Sequence, residues 1–264
     1  MFEKLDCLYS KLQGVRPLSP ENVARLSEDF MIDYTYNTNA IEGSTLTLEE
    51  TALVLKEGVT VNGKSLKHHL EAIGHRDAYY YVEDLVKNKV PVSEKIIKDI
   101  HSLVLMDRQS DKGKYRSVPV RVGGYNPCQP YEVPLQMEWL MRVYDEEMQK
   151  LHAIERAALF HLSFESIHPF IDGNGRVGRL LLNLELMKEG YPPVNVKFSD
   201  RARYYDCFNY YRENDNDASQ MIALVEGYAT DELKRYIDIA EQSDKLKKNN
   251  PDDFRAEHDG GFIP

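Results

Sequence analysis

Residues 166–193 read SIHPFIDGNGRVGRLLLNLELMKEGYPP, and this stretch sets the expected centre of the fold. A histidine stands before a proline, an aspartate follows, and a Gly-Asn-Gly turn leads into two arginines. The preceding segment, residues 151–167, is apolar almost all round a helical projection, which predicts a buried helix. Because Pro169 disfavours helical geometry at His168, that helix is expected to end there.

A second helix is predicted after the turn, from about Gly175 to Gly190. Its apolar residues recur at helical spacing, at Val177, Leu180, Leu181, Leu184 and Met187. Gly190, with two prolines shortly after it, is typical of a helix end. We therefore expect two packed helices joined by a glycine-rich loop.

The loop itself has the features of an anion-binding site. Backbone N–H groups of Asp172-Gly173-Asn174-Gly175 can converge on an anion, and the positive end of the following helix dipole reinforces them. Arg176 and Arg179 are expected on one face of the first turn, where their planar guanidiniums suit phosphate. Asp172 can hold Mg²⁺ together with phosphate oxygens, and His168 can accept a proton from a hydroxyl. Together these groups predict nucleotide transfer.

Two other chemistries compete for the same residues. His161, Glu165 and His168 are spaced i, i+4 and i+7 and can ligate a metal from one helical face. Pro169 turns His168 away from that face, however, and His161 is more typical of a core histidine. The pattern GxxxxGK[ST] is absent, which excludes a P-loop nucleotide hydrolase.

Composition narrows the class of protein. The chain has 264 residues, 42% of them hydrophobic, which is enough for one large domain. Its formal charge of −10 opposes general nucleic-acid binding. No run approaches the roughly 20 apolar residues of a membrane helix, and the charged N-terminus does not resemble a signal peptide. Cys7, Cys128 and Cys207 form no CxxC pattern, which argues against disulfides or a zinc site and suits the cytoplasm.

Most other segments have helical periodicity. Helices are predicted at 21–41, 46–58, 65–88, 93–105 and 135–149. Thr47 and Glu50 are spaced as a capping box, and Gly58 is placed as a stop signal. The polar residues from about Ser243 onward predict a solvated tail.

The periodicity changes at residues 114–134. Val118, Val120 and Val122 alternate with other residues, and Gly123-Gly124 can form the turn of a β-hairpin. The prolines in this segment confine any strands to an exposed edge, and an irregular surface loop is the alternative. The predicted fold class is therefore all-α with one small β-hairpin.

The stretch HPFIDGNGR, residues 168–176, continued by VGR to Arg179, resembles the complete signature of the Fic family, HPFx(D/E)GNGRxxR. The resemblance implies a helical core that uses Mg-ATP to transfer AMP onto a Ser, Thr or Tyr hydroxyl of a target protein. It implies that His168 is the general base, that Phe170 anchors the loop and that Asp172 binds Mg²⁺. It also implies that Gly173, Asn174 and Gly175 hold the α- and β-phosphates with Arg176 beside them, and that Arg179 binds the γ-phosphate.

Two further segments resemble parts of the same family. Residues 117–134 are similar to the flap that docks the target backbone as an added strand, and RVGGY (121–125) resembles its nucleotide-facing part, which implies contacts from Val122, Gly123, Gly124 and Tyr125. RYYDCF (203–208) resembles the helix of the adenine pocket and points to Tyr204 and Tyr205, for which plain core tyrosines remain the alternative.

The upstream segment TNAIEG, residues 38–43, resembles the inhibitory pattern [S/T]xxxE[G/N] of self-inhibited Fic proteins. By this resemblance Thr38, Glu42 and Gly43 belong to an inhibitory helix, and Glu42 pairs with Arg179 in place of the γ-phosphate. A buried arginine that binds an internal carboxylate cannot also bind phosphate. A solvated helix end is the alternative for such a short pattern.

The resemblance divides the chain into three expected regions. Residues 1–65 form an N-terminal helical region, with the inhibitory helix at about 28–43. Residues 66–230 form the core, with the flap at 117–134 and the active-site loop at 168–179. Residues 231–264 form a C-terminal helix and tail. The expected protein is a self-inhibited adenylyltransferase. Its expected partners are ATP and a target protein, and no binding to nucleic acid or to a membrane is expected. A homodimer is possible. The alternatives are removal of AMP at the same site and a silent nucleotide-binding regulator.

Overall fold

Ten α-helices form in the part of the chain that the structure describes, residues 2–16 and 20–249 of a computed structural model. The helices are α1 Glu3–Val15, α2 Pro20–Ile41, α3 Leu48–Glu57, α4 Leu66–Lys87, α5 Glu94–Val104, α6 Val133–Glu146, α7 Ala153–Ile167, α8 Asn174–Lys188, α9 Arg201–Glu213 and α10 Ser219–Asn249. The all-α prediction is confirmed. Side chains at 20–25 and 243–249 are outside the description.

Local sequence signals fix several of these helices. The Thr47 hydroxyl accepts from the N–H of Glu50, whose carboxylate accepts from the N–H of Thr47, so the predicted capping box forms at the start of α3. Gly58 adopts the left-handed conformation (φ 67°) that ends α3. Ser65 and Ser93 cap α4 and α5 through their hydroxyl groups.

Helices α7 and α8 lie at the centre, between two hydrophobic clusters. On one side Phe160 and Phe164 of α7 and Leu180 of α8 pack with residues of α2, α4, α5 and α6. On the other side Leu162 of α7 and Leu186 of α8 pack with α1, α9 and α10. The predicted buried helix is therefore present, and Phe170 of the loop between α7 and α8 belongs to the first of these clusters.

A glycine permits the close approach of these two central helices. A Cβ atom at Gly178 would lie 2.5 Å from Oε1 of Glu165 and 2.8 Å from the ring of His161. The sequence motif treats position 178 as variable, but here no side chain larger than hydrogen fits without displacing Glu165.

The predicted β-hairpin at 114–134 is reduced to one turn. Val122 and Tyr125 exchange both main-chain hydrogen bonds around Gly123 (φ 49°) and Gly124 (φ 86°). No longer strand forms in the described residues, and Val118 is exposed rather than packed on a neighbour. The valine alternation was misleading because a strand requires a partner, and the prolines remove the N–H groups that would pair with one.

The C-terminal region differs from the expected division at residue 231. Helix α10 begins at Ser219 and continues to Asn249, so this boundary falls inside a helix. The predicted solvated tail from Ser243 falls mostly on residues 250–264, which lie outside the described part of the chain. Within the described residues, no helix combines the length and the apolar character needed to cross a lipid bilayer.

Candidate active site

The loop between α7 and α8 is fixed by its own side chains. Helix α7 ends at Ile167, and His168 takes a left-handed conformation (φ 51°, ψ 61°) ahead of Pro169, as the sequence predicts for a helix end. Phe170 is fully buried. The Asn174 side chain accepts from the Phe170 N–H at 2.9 Å and donates to the Phe170 carbonyl at 2.8 Å. Asn174 therefore braces the loop through its side chain, a function that the sequence did not predict.

His101 of α5 packs against the loop and forms a hydrogen bond to it. Its ring stacks on Phe170 with 3.7 Å between centroids and an interplanar angle of 3°. The Gly113 N–H donates to Nδ1 at 3.0 Å, so Nε2 carries the proton and donates to the Asp172 carbonyl at 3.1 Å. Burial lowers the pKa of His101 to about 4, which keeps the imidazole neutral in this arrangement.

The ring of His168 lies beside a buried carboxylate. Nδ1 of His168 is 3.5 Å from Oε2 of Glu165, and the two side chains are 16% and 11% exposed. Burial alone would raise the pKa of Glu165, but His168, His161 and Arg179 outweigh burial and lower it, so the carboxylate is ionised. Glu165 therefore places a negative charge beside Nδ1 and leaves the other ring nitrogen, Nε2, outside this ion pair.

Asp172 is an ionised carboxylate in a cationic setting. Its Oδ1 accepts from the Gly173 N–H at 2.7 Å, while its Oδ2 lies 3.7 Å from Arg108 and 3.8 Å from Lys67. Burial would raise the pKa of Asp172, but Arg176, the Gly173 N–H and the other cations lower it below its ordinary value. A single charged carboxylate of this kind fits Mg²⁺, which binds one or two carboxylates together with phosphate.

Arg179 is bound by the end of helix α2. Its Nη2 donates to Oε1 of Glu42 at 2.7 Å and to the Thr38 carbonyl at 3.1 Å, and its Nε donates to the Thr38 hydroxyl at 2.7 Å. The Arg179 side chain is 3% exposed and that of Glu42 is 33% exposed. Gly43 follows with φ 94° and ends the helix.

The Glu42 carboxylate lies over the N-terminus of α8. A Cβ atom at Gly175 would be 2.3 Å from Oε1 of Glu42 and 3.1 Å from Nη1 of Arg179. An anion at this point faces the free N–H groups and the positive end of the helix dipole. The structure therefore holds an internal carboxylate where a helix N-terminus attracts phosphate.

Arg176 has a different position from the one expected. Its side chain is buried, with Nη1 3.1 Å from Glu71 of α4 and Nη2 3.4 Å from Asp172. Arg176 and Arg179 thus bind different carboxylates instead of presenting one shared cationic face. Glu71 was not singled out from the sequence, because nothing near it distinguishes it from other helical glutamates.

A cleft of about 410 Å³ opens above these groups. Its lining includes the predicted residues Glu42, Val122, Gly123, Tyr125, His168, Gly175, Arg179, Tyr204 and Tyr205, together with Glu165, Arg201, Phe208, Asn209 and Arg212. The predicted residues that do not line it are Thr38, Gly43, Gly124, Asp172, Gly173, Asn174 and Arg176. The structure thus brings three separate sequence segments, the α2 end, the flap turn and α9, to one loop.

The two tyrosines of α9 differ in their surroundings. Tyr204 is buried, and its hydroxyl lies 2.7 Å from Nε2 of His161 and 3.4 Å from Nη1 of Arg179. Tyr205 is half-buried, with the guanidinium of Arg201 4.7 Å from its ring centroid. Tyr204 therefore belongs to both the core and the cleft.

Two arginines of α9 were not predicted from the sequence. Nε of Arg201 donates to the Ile41 carbonyl at 2.8 Å, so the residue that covers Tyr205 also caps α2. The guanidinium of Arg212 lies 4.9 Å from the ring centroid of Tyr125 and holds the flap turn over the cleft. Their positions, four residues before and seven residues after Tyr205, are the sequence signal that could have found them.

The alternative metal face on α7 does not assemble. His161 is fully buried and engaged with Tyr204, and burial lowers its pKa to about 4, as for a core histidine. In the described ranges, His, Cys, Asp and Glu side chains form no cluster of three that could hold a metal ion.

Several known proteins are similar to this chain in sequence. A sequence model of the Fic/DOC family matches residues 91–186. Protein adenylyltransferase Fic of Nematostella vectensis is 36% identical over 229 residues, which are 84% of this chain and 51% of that protein. The protein of the same name from Drosophila melanogaster is 34% identical over 216 residues, 80% of this chain and 44% of that protein. The chain spans about half the length of these curated relatives.

Solved structures extend the comparison to the fold. A Fic domain containing signaling protein from Bacteroides thetaiotaomicron matches with a TM-score of 0.85 and 29% identity, over 90% of this chain and 97% of that chain. Fic-1 from C. elegans matches with a TM-score of 0.78 and 31% identity, over 90% of this chain and 71% of that chain. The chain therefore belongs to the Fic/DOC family.

Proposed function

We propose that this protein is an adenylyltransferase that moves AMP from ATP onto a hydroxyl of a target protein. The proposal is supported by the relatives named protein adenylyltransferase Fic and by the cleft in which a histidine, a helix N-terminus and a buried arginine meet. In the reaction the hydroxyl oxygen attacks the α-phosphorus and the bond to the bridging oxygen breaks. The products are the AMP-modified protein and pyrophosphate.

The proton of the attacking hydroxyl is assigned to His168. Glu165 lies against Nδ1, so Nε2 is the nitrogen that accepts it. Glu165 also stabilises the imidazolium that results, because its charge is fixed 3.5 Å away before the reaction begins.

The triphosphate is assigned to the start of α8. The N–H groups of Asn174 and Gly175 hold the α- and β-phosphates, joined by that of Gly173 once it leaves Asp172, and Arg179 holds the γ-phosphate once Glu42 has left it. Arg176 acts beside them indirectly, since Glu71 and Asp172 occupy its guanidinium. Asp172 would hold Mg²⁺, which would supply positive charge beside the phosphates. Tyr204 and Tyr205 enclose the adenine, and the flap, residues 117–134, binds the target backbone.

The same site carries its own inhibitor in this proposal. The single observation that supports it best is the Glu42 carboxylate, which lies 2.7 Å from Arg179 and directly over Gly175. A γ-phosphate and this carboxylate require the same guanidinium, so they exclude each other. Residues 1–65 then form the regulatory region, and residues 66–230 form the core.

Mass spectrometry tests the proposed activity. The purified chain and its Glu42→Gly variant are incubated with Mg-ATP and with a lysate depleted of nucleotides, and peptides that gain one AMP are identified. We expect self-modification and target modification with Glu42→Gly and little with the wild-type chain. Absence of AMP on every protein, with ATP binding intact, would instead support a silent nucleotide-binding module.

We also propose a cytoplasmic location, supported by three unpaired cysteines.

A further inference from the structure

Arg116 is a buried arginine that joins the flap segment to the active-site loop. It is 4% exposed. Its Nε donates to the His168 carbonyl at 2.8 Å, and its Nη2 donates to the Cys128 carbonyl at 2.6 Å and to the Ile167 carbonyl at 3.3 Å. The Arg116 N–H also donates to the Pro169 carbonyl at 2.9 Å. One residue therefore binds three consecutive carbonyls of the loop and one of the flap.

The acceptors of this guanidinium are unusual for so buried a cation. Arg156 is equally buried, and it pairs with the carboxylate of Glu185 at 2.9 Å and with that of Glu189 at 2.5 Å. Arg116 instead donates to main-chain carbonyls at the C-terminal, negative end of α7. A buried charge without a carboxylate is costly, so this arrangement is expected where the position of those carbonyls matters.

The carbonyls of Ile167 and His168 belong to the two peptide groups that define the backbone conformation of His168. A non-glycine residue in the left-handed region is strained and persists only when its surroundings hold it. Arg116 binds the carbonyls on both sides of the His168 Cα, and these two contacts fix the peptide planes from which the imidazole projects. The hydrogen bond to the Cys128 carbonyl joins the flap segment to the same guanidinium.

We propose that Arg116 is a positioning residue for transfer, which aligns the His168 imidazole with the hydroxyl that the flap presents. The inference rests on the proposed function. It differs from the roles of the signature motif because Arg116 touches neither nucleotide nor target, and acts through the backbone of the residues that do.

The test compares Arg116→Gln and Arg116→Lys in the Glu42→Gly protein, well below each melting temperature. We expect Arg116→Gln to lower kcat for AMP transfer about 10²-fold, as for a catalytic group misplaced by about 1 Å. The dissociation constant for Mg-ATP should stay within about twofold, because the phosphate site is untouched. Arg116→Lys should recover part of kcat, since an ammonium can still bind one carbonyl.

Arg156→Lys is the matched control, because it perturbs an equally buried arginine of α7 that does not touch the loop. It should lower the melting temperature and leave kcat near that of the parent. The His168 imidazole signal in NMR is a second readout, independent of activity, and should shift in the Arg116 variants and not in Arg156→Lys.

The outcomes separate the possible explanations. A kcat within about threefold of the parent in Arg116→Gln overturns the inference, as does a parallel loss of kcat and ATP binding shared with Arg156→Lys. If Arg116→Gln does not fold, Arg116→Lys replaces it, and a His168 NMR signal unchanged from that of the parent then overturns the inference. If the Glu42→Gly parent transfers no AMP, the proposed function fails, and an unchanged His168 signal in Arg116→Lys then refutes the positioning role by itself.

Discussion

Replacing Glu42 by glycine removes the carboxylate that neutralises Arg179 and should convert that guanidinium into a ligand for phosphate. Nη2 and Oε1 are 2.7 Å apart, with Arg179 almost fully buried and Glu42 33% exposed. A hydrogen bond to a charged group contributes about 1.5–3 kcal/mol. Because Glu42 is partly solvated, we take the lower half of that range, about 1.5–2 kcal/mol. At 1.4 kcal/mol per factor of ten, Mg-ATP should bind about 10–30-fold more tightly.

Arg179 should keep its place in the variant. The Thr38 hydroxyl and carbonyl continue to accept from Nε and Nη2, so the side chain is still directed at the start of α8. We therefore expect a modest loss of folding stability, about 1–2 kcal/mol. Glu42→Gln keeps the size of the side chain without its charge, and the fraction of activation it gives measures how much of the block is electrostatic.

Calorimetry of Mg-ATP binding and mass spectrometry of AMP transfer measure the effect. Arg179→Ala should abolish the gain, and the double variant should behave like Arg179→Ala alone, since the two residues are directly coupled. Glu57→Gly is the matched control, because Glu57 also stands at a helix end before a left-handed glycine, Gly58, but does not line the cleft. If Glu42→Gly leaves both ATP affinity and transfer unchanged, or if the gain persists without Arg179, the proposed inhibition is wrong.

Four further outcomes are expected. In the activated protein, His168→Ala should lower transfer about 10²–10⁴-fold with ATP binding retained; near-normal transfer would remove His168 from the mechanism. Asp172→Ala should lower Mg²⁺-dependent binding and transfer without changing the circular dichroism of the helices, and activity that persists in excess chelator contradicts the metal role. Gly178→Ala should destabilise the fold by about 1–3 kcal/mol in urea unfolding, and a neutral effect would show that Glu165 moves freely. The pKa values of His101 and His161 are lowered to about 4 from 6.5, so the unfolded chain binds more protons in acid. The free energy of unfolding should fall by about 2 kcal/mol per histidine from pH 7 to pH 5, and a constant melting temperature over that range contradicts it.

Local signals in the sequence predicted the elements that depend on neighbours in the chain. The capping box of Thr47 and Glu50 and the stop at Pro169 involve contacts within a few residues, so their physics can be read directly. The contact of Glu42 with Arg179 spans 137 positions. It was expected only because two motifs resembled parts of one family, and no periodicity in the chain connects them.

The parts that were not predicted depend on tertiary structure. Arg116 binds main-chain carbonyls, which every residue has, so no partner residue reveals its role. Glu71 is joined to Arg176 across two helices, and Gly178 is required only because α7 passes close by. The flap was over-predicted as strands for a related reason, since alternation describes a side-chain pattern and does not supply a pairing partner.

The anchoring of α2 limits how the proposed inhibition could be relieved. Phe30, Met31, Tyr34 and Ile41 are buried, and at about 1.5–3 kcal/mol each they contribute roughly as much as the whole stability of a typical domain. Asp33 pairs with Lys197, and the Ile41 carbonyl binds Arg201, at two further points. Undocking the helix would therefore unfold the protein.

Relief must then be confined to a few atoms at the helix end. Rotation of the Glu42 side chain, or fraying at Gly43, frees Arg179 while every turn of α2 stays in place. Amide hydrogen exchange should accordingly remain slow through residues 30–40 in both the inhibited and the activated protein. Any partner that relieves the proposed inhibition would have only to reach the last turn of one helix, beside the cleft.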